Sequence, residues 1–542
     1  MLSALALLSL WALGGAVGVR QTPVPLLPDV PFLTVWNAPT EPCMSKYGVD
    51  LDLSLFNIVL NQNQSFMGDN ITIFYEGKLG RYPHYTTRGE AVNGGVPQNA
   101  SLPAHLQAAG ADIAADIPRR GFRGLAVVDW ESWRPLWARN WDTKQVYWEA
   151  SRALVRQAHP DWAPSRVESE AQKAFQGAGR AFMEGTLRLG RAMRPGGLWG
   201  FYGFPACYNY QYKNSTANYS GECPQLEMRR NDQLAWLWNA SSALFPDIYL
   251  DLALRGRGDA ILRFTHYRVL EAMRVAGQVG RVTPPVLPYA RIAYTYSMEF
   301  LSQEDLAHTI GESAALGAAG VVLWGDATYA KSQAVCEEMK RYVDATLGGY
   351  LVNVTAAATL CSQLLCSGRG RCQRRDSGSG AFLHLDPSSW TVASEPGPRG
   401  RLYSVRGRPG RRDAEQMEAG FVCRCYQGWA GRRCKKPAVC EEMKRYVDAT
   451  LGGYLVNVTA AATLCSQLLC SGRGRCQRRD SGSGAFLHLD PSSWTVASEP
   501  GPRGRLYSVR GRPGRRDAEQ MEAGFVCRCY QGWAGRRCKK PV

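Results

Sequence analysis

The stretch Leu125-Ala126-Val127-Val128-Asp129-Trp130-Glu131-Ser132-Trp133 decides both the fold and the chemistry of this chain. Its apolar run, Leu125 to Val128, is typical of a short buried strand. The strand ends in two carboxylates, Asp129 and Glu131, which a period of two places on one side, roughly 6–7 Å apart. Because two negative charges that close do not both form cheaply, the pair is predicted to retain one proton. Glycoside hydrolysis requires such a proton of its acid.

A carboxyl pair at a strand end has a simpler interpretation, which stays open for the pair alone: it can be a loop start or a helix N-cap. Its surroundings favour catalysis. Residues 30–333 alternate short apolar runs with helical stretches, which predicts an α/β fold with a parallel sheet closed as a barrel. The predicted strands are Phe32–Trp36, Ile71–Tyr75, Leu125–Asp129, Gly197–Tyr202, Asp247–Leu250, Val286–Tyr289 and Val321–Trp324. The predicted helices include Lys144–Ala158, Arg166–Met193 and Gln303–Leu316.

Aromatic residues end most of these strands. The active site of a β/α barrel is built where its strands end. Around the carboxyl pair, the strand ends are Trp36, Tyr75, Tyr202, Tyr249, Tyr289 and Trp324. Any one of them is more often a core residue than a ligand, but aromatic faces stack on sugar rings and phenol hydroxyls orient them. Together they predict a carbohydrate site.

The N-terminus and the cysteines predict a secreted or lysosomal protein. Residues 1–18 have the short apolar stretch and small residues of a signal peptide, and no membrane span or C-terminal lipid anchor is predicted. Seventeen cysteines after such a leader indicate disulfides. Glycosylation acceptors occur at Asn63, Asn70, Asn99, Asn214, Asn218, Asn239, Asn353 and Asn457.

A perfect repeat ends the chain. Residues Ala334–Pro437 recur as Ala438–Pro541, 104 residues on, without a mismatch. Natural repeats diverge, so the identity indicates either a very recent duplication or an error in gene assembly, and we favour the error. We predict a catalytic barrel at 30–350, a disulfide-rich module at 351–437, and its copy, with an extra helix, at 438–541.

The repeat also explains the positive charge. Each copy has 17 Lys and Arg against 9 Asp and Glu, so the two copies carry +16 of the net +17. The basic balance is therefore no sign of a nucleic-acid surface. It comes from a loop around Arg399–Arg412, which we interpret as solvated and flexible, with a weak polyanion site as the alternative.

Other chemistries lack support. The seven histidines show no zinc spacing, and the sequence contains neither G-x-S-x-G nor a phosphate-binding glycine loop. No metal and no cofactor are expected. The last six cysteines of each copy have the spacing of an epidermal-growth-factor-like (EGF-like) module. That spacing implies the pairs Cys361–Cys372, Cys366–Cys423 and Cys425–Cys434. Cys440 is expected to stay unpaired, because its counterpart in the first copy, Cys336, would pair with a residue outside the repeat.

Five motifs carry a family resemblance. Residues Val128–Pro135, Asn93–Gln98, Gly197–Tyr202, Asn231–Trp238 and Gly311–Asp326 resemble motifs of the animal hyaluronidases, in that family's order. Two further stretches, Asn140–Lys144 and His159–Trp162, are similar to the lysosomal/plasma type. The resemblance covers residues 30 to about 437 and implies a distorted TIM-like β/α barrel with a C-terminal EGF-like module.

The resemblance implies an activity. These enzymes cleave β-1,4 bonds of hyaluronan within the polymer, and chondroitin more slowly. Glu131 resembles the general acid/base, and Asp129 the residue that holds the acetamido group of the substrate. The acetamido oxygen is then the nucleophile, so configuration is retained without a sugar–enzyme bond, an exception to the two-carboxylate scheme. The expected partners are hyaluronan and related acidic glycosaminoglycans, and a monomer is expected.

Further site residues follow from the same resemblance. Tyr202 and Tyr249 resemble tyrosines that contact the acetamido group, and Trp324 the wall of its pocket, with Tyr75 beside them as a substrate-binding strand-end residue. Arg134 and Arg268 resemble groove arginines; one could pair with a substrate carboxylate, or Arg134 could brace Glu131. The implied barrel disulfides are Cys43–Cys336 and Cys207–Cys223.

Departures from the family leave alternatives. Ala206 stands where several members have an acidic residue, which either weakens a groove contact, shifts the pH preference or changes nothing. A catalytically weak, receptor-like hyaluronan binder is the alternative function, and an interaction module acting through the tail is a third. The second copy predicts a helix without a core, exposing Tyr454, Leu455 and Val456.

Overall fold

The strand predicted at Leu125–Asp129 has those bounds in the computed structural model, which describes residues 21–59, 68–214, 218–280, 282–398, 400–438, 451–501 and 504–542. The predicted signal peptide, Asn63 and Cys440 lie outside these ranges. The first nine strands are β1 Leu33–Asn37, β2 Ile58–Val59, β3 Ile71–Tyr75, β4 His84–Tyr85, β5 Ala91–Val92, β6 Leu125–Asp129, β7 Leu198–Phe201, β8 Tyr289–Ala290 and β9 Gly320–Trp324.

The strands other than the β4–β5 hairpin form one parallel circuit. One sheet has the order β2-β1-β9-β8 and another β3-β6-β7, all parallel. Isolated parallel bridges join them, from Tyr202 to Phe245, from Leu244 to Val286 and from Asp247 to Tyr289. The pairing therefore runs from β2 round to β3, in the manner of a distorted barrel.

Alternate residues of every strand fill the interior of this circuit. One buried cluster unites Val35 of β1, Ile73 of β3, Val127 of β6 and Val322 of β9 with Phe245. The residues between them face outward, towards helices, as Phe74 and Val128 do in a second cluster. The period of two thus separates an inner core from an outer layer.

Helices cover the outer face. They are α1 Glu41–Ser45, α2 Leu102–Asp116, α3 Gln145–Ala158, α4 Pro164–Met193, α5 Gln225–Asp232, α6 Ala235–Ala240, α7 Gly258–Ala276, α8 Gln303–Leu306, α9 Glu312–Ala315, α10 Gln333–Tyr342 and α11 Gly348–Cys366. The amphipathic patterns that predict α3 and α4 are confirmed within two residues at their N-termini.

Two sequence expectations for this part of the chain are wrong. Asp247–Leu250 forms no regular strand; its neighbourhood pairs through single bridges at 244–247, where Pro246 has no N–H to donate. Trp36 does not face the site. It is fully buried in the outer layer, where its Nε1 donates to Thr40 Oγ1 at 3.0 Å, because the inward position belongs to Val35.

The chain divides into two compact units, residues 1–435 and 436–542. The first unit therefore contains the first tail copy together with the barrel, and the predicted boundary at 350 falls inside α11. The tail elements are β10 Gly370–Arg374, β11 Trp390–Pro396, β12 Arg401–Gly407, α12 Arg411–Gly420, β13 Phe421–Cys425, β14 Trp429–Ala430 and β15 Lys436–Pro437. The segment predicted as a flexible arginine-rich loop, Arg399–Arg412, thus contains strand β12, which pairs with β11, and the start of α12.

The second unit repeats these elements. They are α13 Gly452–Cys470, β16 Gly474–Arg478, β17 Trp494–Gly501, β18 Gly504–Gly511, α14 Arg515–Gly524, β19 Phe525–Cys529, β20 Trp533–Ala534 and β21 Lys540–Pro541. The exposures of Tyr454 and Leu455 on α13 are 54% and 51%, against 5% and 1% for the same residues of the first copy, Tyr350 and Leu351.

Disulfides hold both units. The barrel unit has Cys43–Cys336, Cys207–Cys223, Cys361–Cys372, Cys366–Cys423 and Cys425–Cys434. The second unit has Cys465–Cys476, Cys470–Cys527 and Cys529–Cys538. That these tail folds are EGF-like modules stays a prediction.

Two features of the chain are relevant to localisation: its long apolar helices and its glycosylation acceptors. Within the described residues, two helical stretches, Gln333–Cys366 and Gly452–Cys470, have the length and composition of a membrane span, and just over half of the first is buried. Of the predicted glycosylation sites, Asn70, Asn99, Asn214, Asn218 and Asn239 are exposed. Asn353 and Asn457 are half-buried and accept hydrogen bonds from the backbone N–H groups of Leu385 and Leu489.

Candidate active site

A cavity of about 350 Å³ opens at the carboxyl ends of the parallel strands. It is lined by Ile73, Val127, Asp129, Glu131, Tyr202, Tyr249, Tyr289, Arg291, Thr295, Tyr296, Trp324 and Asp326. Six of these residues belong to the strand-end set predicted from sequence. The fold brings them together because parallel strands all end at the same rim.

Asp129 is the deeper of the two carboxyls. Burial, and next the charge of Glu131, raise the pKa of Asp129 to about 7, while Arg134 opposes the shift. Its Oδ1 is buried and has no hydrogen-bond partner among the described residues. Asp129 thus combines a raised pKa with an oxygen that has no partner among the described residues, which suits it to bind a polar group of a ligand.

Glu131 is the open carboxyl of the pair, with 55% of its side chain exposed. The Arg134 Nη2 donates to its Oε1 at 3.3 Å. The Arg134 Nη1 also donates to the backbone oxygens of Trp130 and Glu131, each at 3.4 Å, and the guanidinium lies 5.5 Å from the ring centre of Phe204. Of the two roles left open for Arg134, bracing Glu131 is the one that these bonds support.

Aromatic rings form the wall opposite the carboxyls. The rings of Tyr202 and Tyr249 are 6.1 Å apart and their hydroxyls are hydrogen-bonded. Tyr249 stacks on Trp324 at 6.0 Å, and the Trp324 Nε1 donates to the Tyr75 hydroxyl at 3.5 Å. Burial raises the pKa of Tyr75, Tyr202 and Tyr249, so all three remain neutral donors. This wall offers one apolar face and several hydroxyls.

Arg268 lies away from this cavity. It sits on α7 with 3% of its side chain exposed, and donates to Asn209 Oδ1 at 2.8 Å and to Asp247 Oδ2 at 2.5 Å. Its rings of contact are Tyr210 and Phe264. Arg268 also donates to the backbone oxygen of Asp247 at 2.9 Å and so holds the backbone there. It is not placed to bind a substrate carboxylate directly.

The two tryptophans of the central stretch are core residues. Trp130 and Trp133 are 3% and 2% exposed, and both stack on Tyr82, at 4.6 and 5.4 Å. The Trp133 Nε1 donates to the backbone oxygen of Pro83 at 2.8 Å. Both tryptophans pack beneath the end of strand β6.

Sequence reasoning missed a charged pair at the rim. Arg291 donates to Asp326 Oδ2 at 2.9 Å, and its guanidinium lies 5.1 Å from the ring centre of Trp324. Asp326 lies two residues after the end of β9, as Glu131 lies two residues after the end of β6. The sequence could have indicated Asp326 as a site residue by this position. Glu76, directly after β3, was missed as well; its carboxylate accepts from the backbone at Glu131 and Ser132.

Two further observations complete the site. Ala206 is half-buried, and its backbone oxygen accepts from Asn231 at 2.9 Å. Within the described ranges, no group of three or more His, Cys, Asp or Glu residues is arranged to hold a metal ion. The geometry instead offers an acid, a second carboxyl and an aromatic wall, which are the groups that glycosidic bond cleavage uses.

Known proteins are similar to this chain in sequence and in fold. The family profile described as hyaluronidase matches residues 21–438 and again 436–542. Hyaluronidase-1 of Homo sapiens is 52% identical over 415 residues, which are 77% of this chain and 94% of the relative. Hyaluronidase of Crotalus adamanteus is 46% identical over 78% of this chain and 94% of its own. The crystal structure of bee venom hyaluronidase in complex with a hyaluronic acid tetramer is similar at a TM-score of 0.54 and 34% identity, covering 59% of this chain and 98% of that one.

Proposed function

The chain belongs to the hyaluronidase family of enzymes, and we propose that it cleaves the β-1,4 N-acetylglucosaminide bonds of hyaluronan within the polymer, and those of chondroitin more slowly. The proposal includes retention of configuration and the acetamido group of the substrate as nucleophile. One observation carries it: the exposed carboxyl of Glu131 stands beside the buried carboxyl of Asp129, whose Oδ1 has no partner in the described part of the chain.

Glu131 supplies the proton. Its exposed carboxyl reaches the glycosidic oxygen, protonates it as the bond to the anomeric carbon breaks, and later takes a proton from the attacking water. Arg134 holds the Glu131 carboxylate by one oxygen, which leaves the other free. In this proposal the acetamido group of the substrate is the nucleophile, so a second carboxyl is not needed in that role.

Asp129 directs the nucleophile of the substrate. Its unused oxygen accepts the acetamido N–H, which increases the negative charge on the amide oxygen that attacks the anomeric carbon. Attack by the amide oxygen and then by water inverts the centre twice, so the product keeps the original configuration. The hydroxyls of Tyr202 and Tyr249 and the face of Trp324 enclose the acetamido group, the last as an apolar wall for its methyl.

The decisive experiment measures reducing ends released from hyaluronan. Glu131→Gln lowers kcat by several orders of magnitude and leaves polymer binding in place, whereas Glu149→Gln, on an exposed position of α3, keeps wild-type turnover. A wild-type protein that binds hyaluronan but releases no ends between about pH 3.5 and 7.5 is instead the receptor-like alternative.

A second measurement tests the nucleophile. A thiazoline analogue of the cyclised acetamido intermediate inhibits the enzyme competitively if the substrate supplies the nucleophile, because it is shaped like that intermediate. Mass spectrometry of enzyme denatured during turnover provides the counter-test. A covalent sugar adduct on Asp129 would contradict the substrate-assisted mechanism but not the assignment as a hydrolase.

A further inference from the structure

Beyond the end of β6, a side chain replaces the missing strand partner. Tyr75 and Asp129 are register partners in the β3–β6 pair, so the residue after Tyr75 lies beside the chain that leaves β6. That residue is Glu76. Its Oε1 accepts the backbone N–H of Ser132 at 2.8 Å, the N–H of Glu131 at 3.3 Å and the hydroxyl of Ser132.

A cation holds the other side of the same backbone. Lys144, just before α3, donates from its Nζ to the backbone oxygen of Glu131 and, at 3.3 Å, to that of Ser132. The Lys144 side chain is half-buried, and burial lowers its pKa. The backbone of two adjacent residues, Glu131 and Ser132, therefore lies between a carboxylate that accepts from their N–H groups and an ammonium that donates to their carbonyls.

This clamp acts on the backbone of the residue that carries the acid. More than half of the Glu131 side chain is exposed, and its bond to Arg134 is long at 3.3 Å. The backbone that carries the carboxyl therefore helps to set its position, together with the bond from Arg134. The position of an exposed catalytic acid matters, because a misplacement of 1 Å costs about 10²-fold in rate. A clamp on the backbone is one way to fix that position.

We propose that Glu76 is a positioning residue for the acid: together with Lys144, it clamps the Glu131–Ser132 backbone and thereby places the Glu131 carboxyl against the scissile bond. The proposal rests on the proposed function of Glu131. It gives Glu76 no contact with the substrate and no proton transfer.

The charge of Glu76 has a second, measurable effect. Asp129 is faced by the charged groups of Glu131, Arg134 and Glu76 and by the hydroxyls of Tyr75, Tyr202 and Tyr289. Among these groups Glu131 and Glu76 raise the pKa of Asp129 and Arg134 lowers it. Removal of the Glu76 charge must therefore shift the ionisation of Asp129 to lower pH.

The test compares Glu76→Ala, Glu76→Gln and the control Glu90→Ala, an exposed carboxylate of the same segment, with kcat, KM and pH profiles on hyaluronan. Glu76→Ala is expected to lower kcat about 10²-fold with KM little changed. Glu76→Gln keeps an acceptor oxygen and recovers most of kcat. In both, the limb of the profile that reports Asp129 moves to lower pH, whereas Glu90→Ala matches wild type.

Two outcomes overturn the proposal. The first is a Glu76→Ala enzyme with wild-type kcat. The second is a loss of kcat that Glu76→Gln does not recover and that leaves the pH profile in place, as a merely structural role would. If Glu76→Ala does not fold, Ser132→Ala, which removes one of the three bonds to Glu76, must still lower kcat more than Glu90→Ala. Loss of all dependence on Glu131 would instead contradict the proposed function.

Discussion

Glu312 and Arg374 form a two-pronged ion pair, with both nitrogen–oxygen distances at 2.8 Å and both side chains almost fully buried. His266 adds a third bond, its Nδ1 lying 2.7 Å from Oε1 of Glu312. These bonds lower the pKa of Glu312, against the burial that would raise it. The pair joins α9 of the barrel to β10 of the first tail copy.

The repeat supplies a matched control for this pair. Arg374→Ala leaves the Glu312 carboxylate buried without its partner, which is expected to cost about 3–5 kcal/mol of unfolding free energy. Arg478→Ala changes the same residue of the second copy, which is half-buried, stacks on Phe486 and donates to the backbone oxygen of Ser481. In thermal unfolding, the midpoint temperature should fall strongly for Arg374→Ala and hardly at all for Arg478→Ala. Equal drops would contradict the assignment.

The buried carboxyl of Asp129 predicts a pH-dependent stability. Its pKa is raised from 3.8 to about 7 in the folded protein, so the folded state keeps a proton that the unfolded state releases. The unfolding free energy therefore falls as pH rises from about 4 to about 7. Asp129→Asn removes this loss and should be more stable than wild type by a few kcal/mol near pH 8, but not near pH 4.

Urea unfolding at the two pH values checks this stability prediction. The exposed Asp161→Asn serves as the control, because its carboxyl lies on the surface. A gain for Asp129→Asn that is equal at both pH values would mean that the carboxyl is not the titrating group. The same variant should lose turnover, so stability and activity are expected to change in opposite directions.

The carboxyl pair also predicts a pH–rate profile. Burial and the charge of Glu131 raise the pKa of Asp129 to about 7, so the pair retains a proton on Asp129 below neutrality and loses it above. We expect kcat/KM on hyaluronan to fall as pH rises through about 7, since the free enzyme then lacks the proton that the glycosidic oxygen needs. A profile that stays level to about pH 9 would show that the pair is already ionised at neutrality.

Removal of the second copy should leave the enzyme intact. Every residue of the cavity lies in the barrel unit, so a chain ending at Pro437 is expected to keep wild-type kcat and KM. It should also bind less of an apolar dye, because Tyr454, Leu455 and Phe486 are 54%, 51% and 67% exposed. A truncated chain without activity would assign the second copy a role in the site.

The sequence predicts this molecule well where the signal is local. Strand Leu125–Asp129 is bounded by an apolar run and a carboxylate, and its bounds are as predicted. Trp36 was misplaced because its strand has two faces, and the sequence does not say which one is inside. Glu76 could not be identified, because it acts on backbone N–H groups 55 and 56 residues away, which no side-chain pattern records. Arg268 could not be placed either, because the sequence does not show that its guanidinium is buried and bonded to Asn209 and Asp247.

The bond between Cys43 and Cys336 spans 293 residues, and its consequence lies in biosynthesis. A ribosome releases the chain from its N-terminus, so Cys43 waits until most of the barrel has emerged. Cys336 then arrives 104 residues before Cys440, which is followed by the same sequence. Order of emergence, rather than any difference in affinity, is therefore expected to select which of two identical segments completes the barrel.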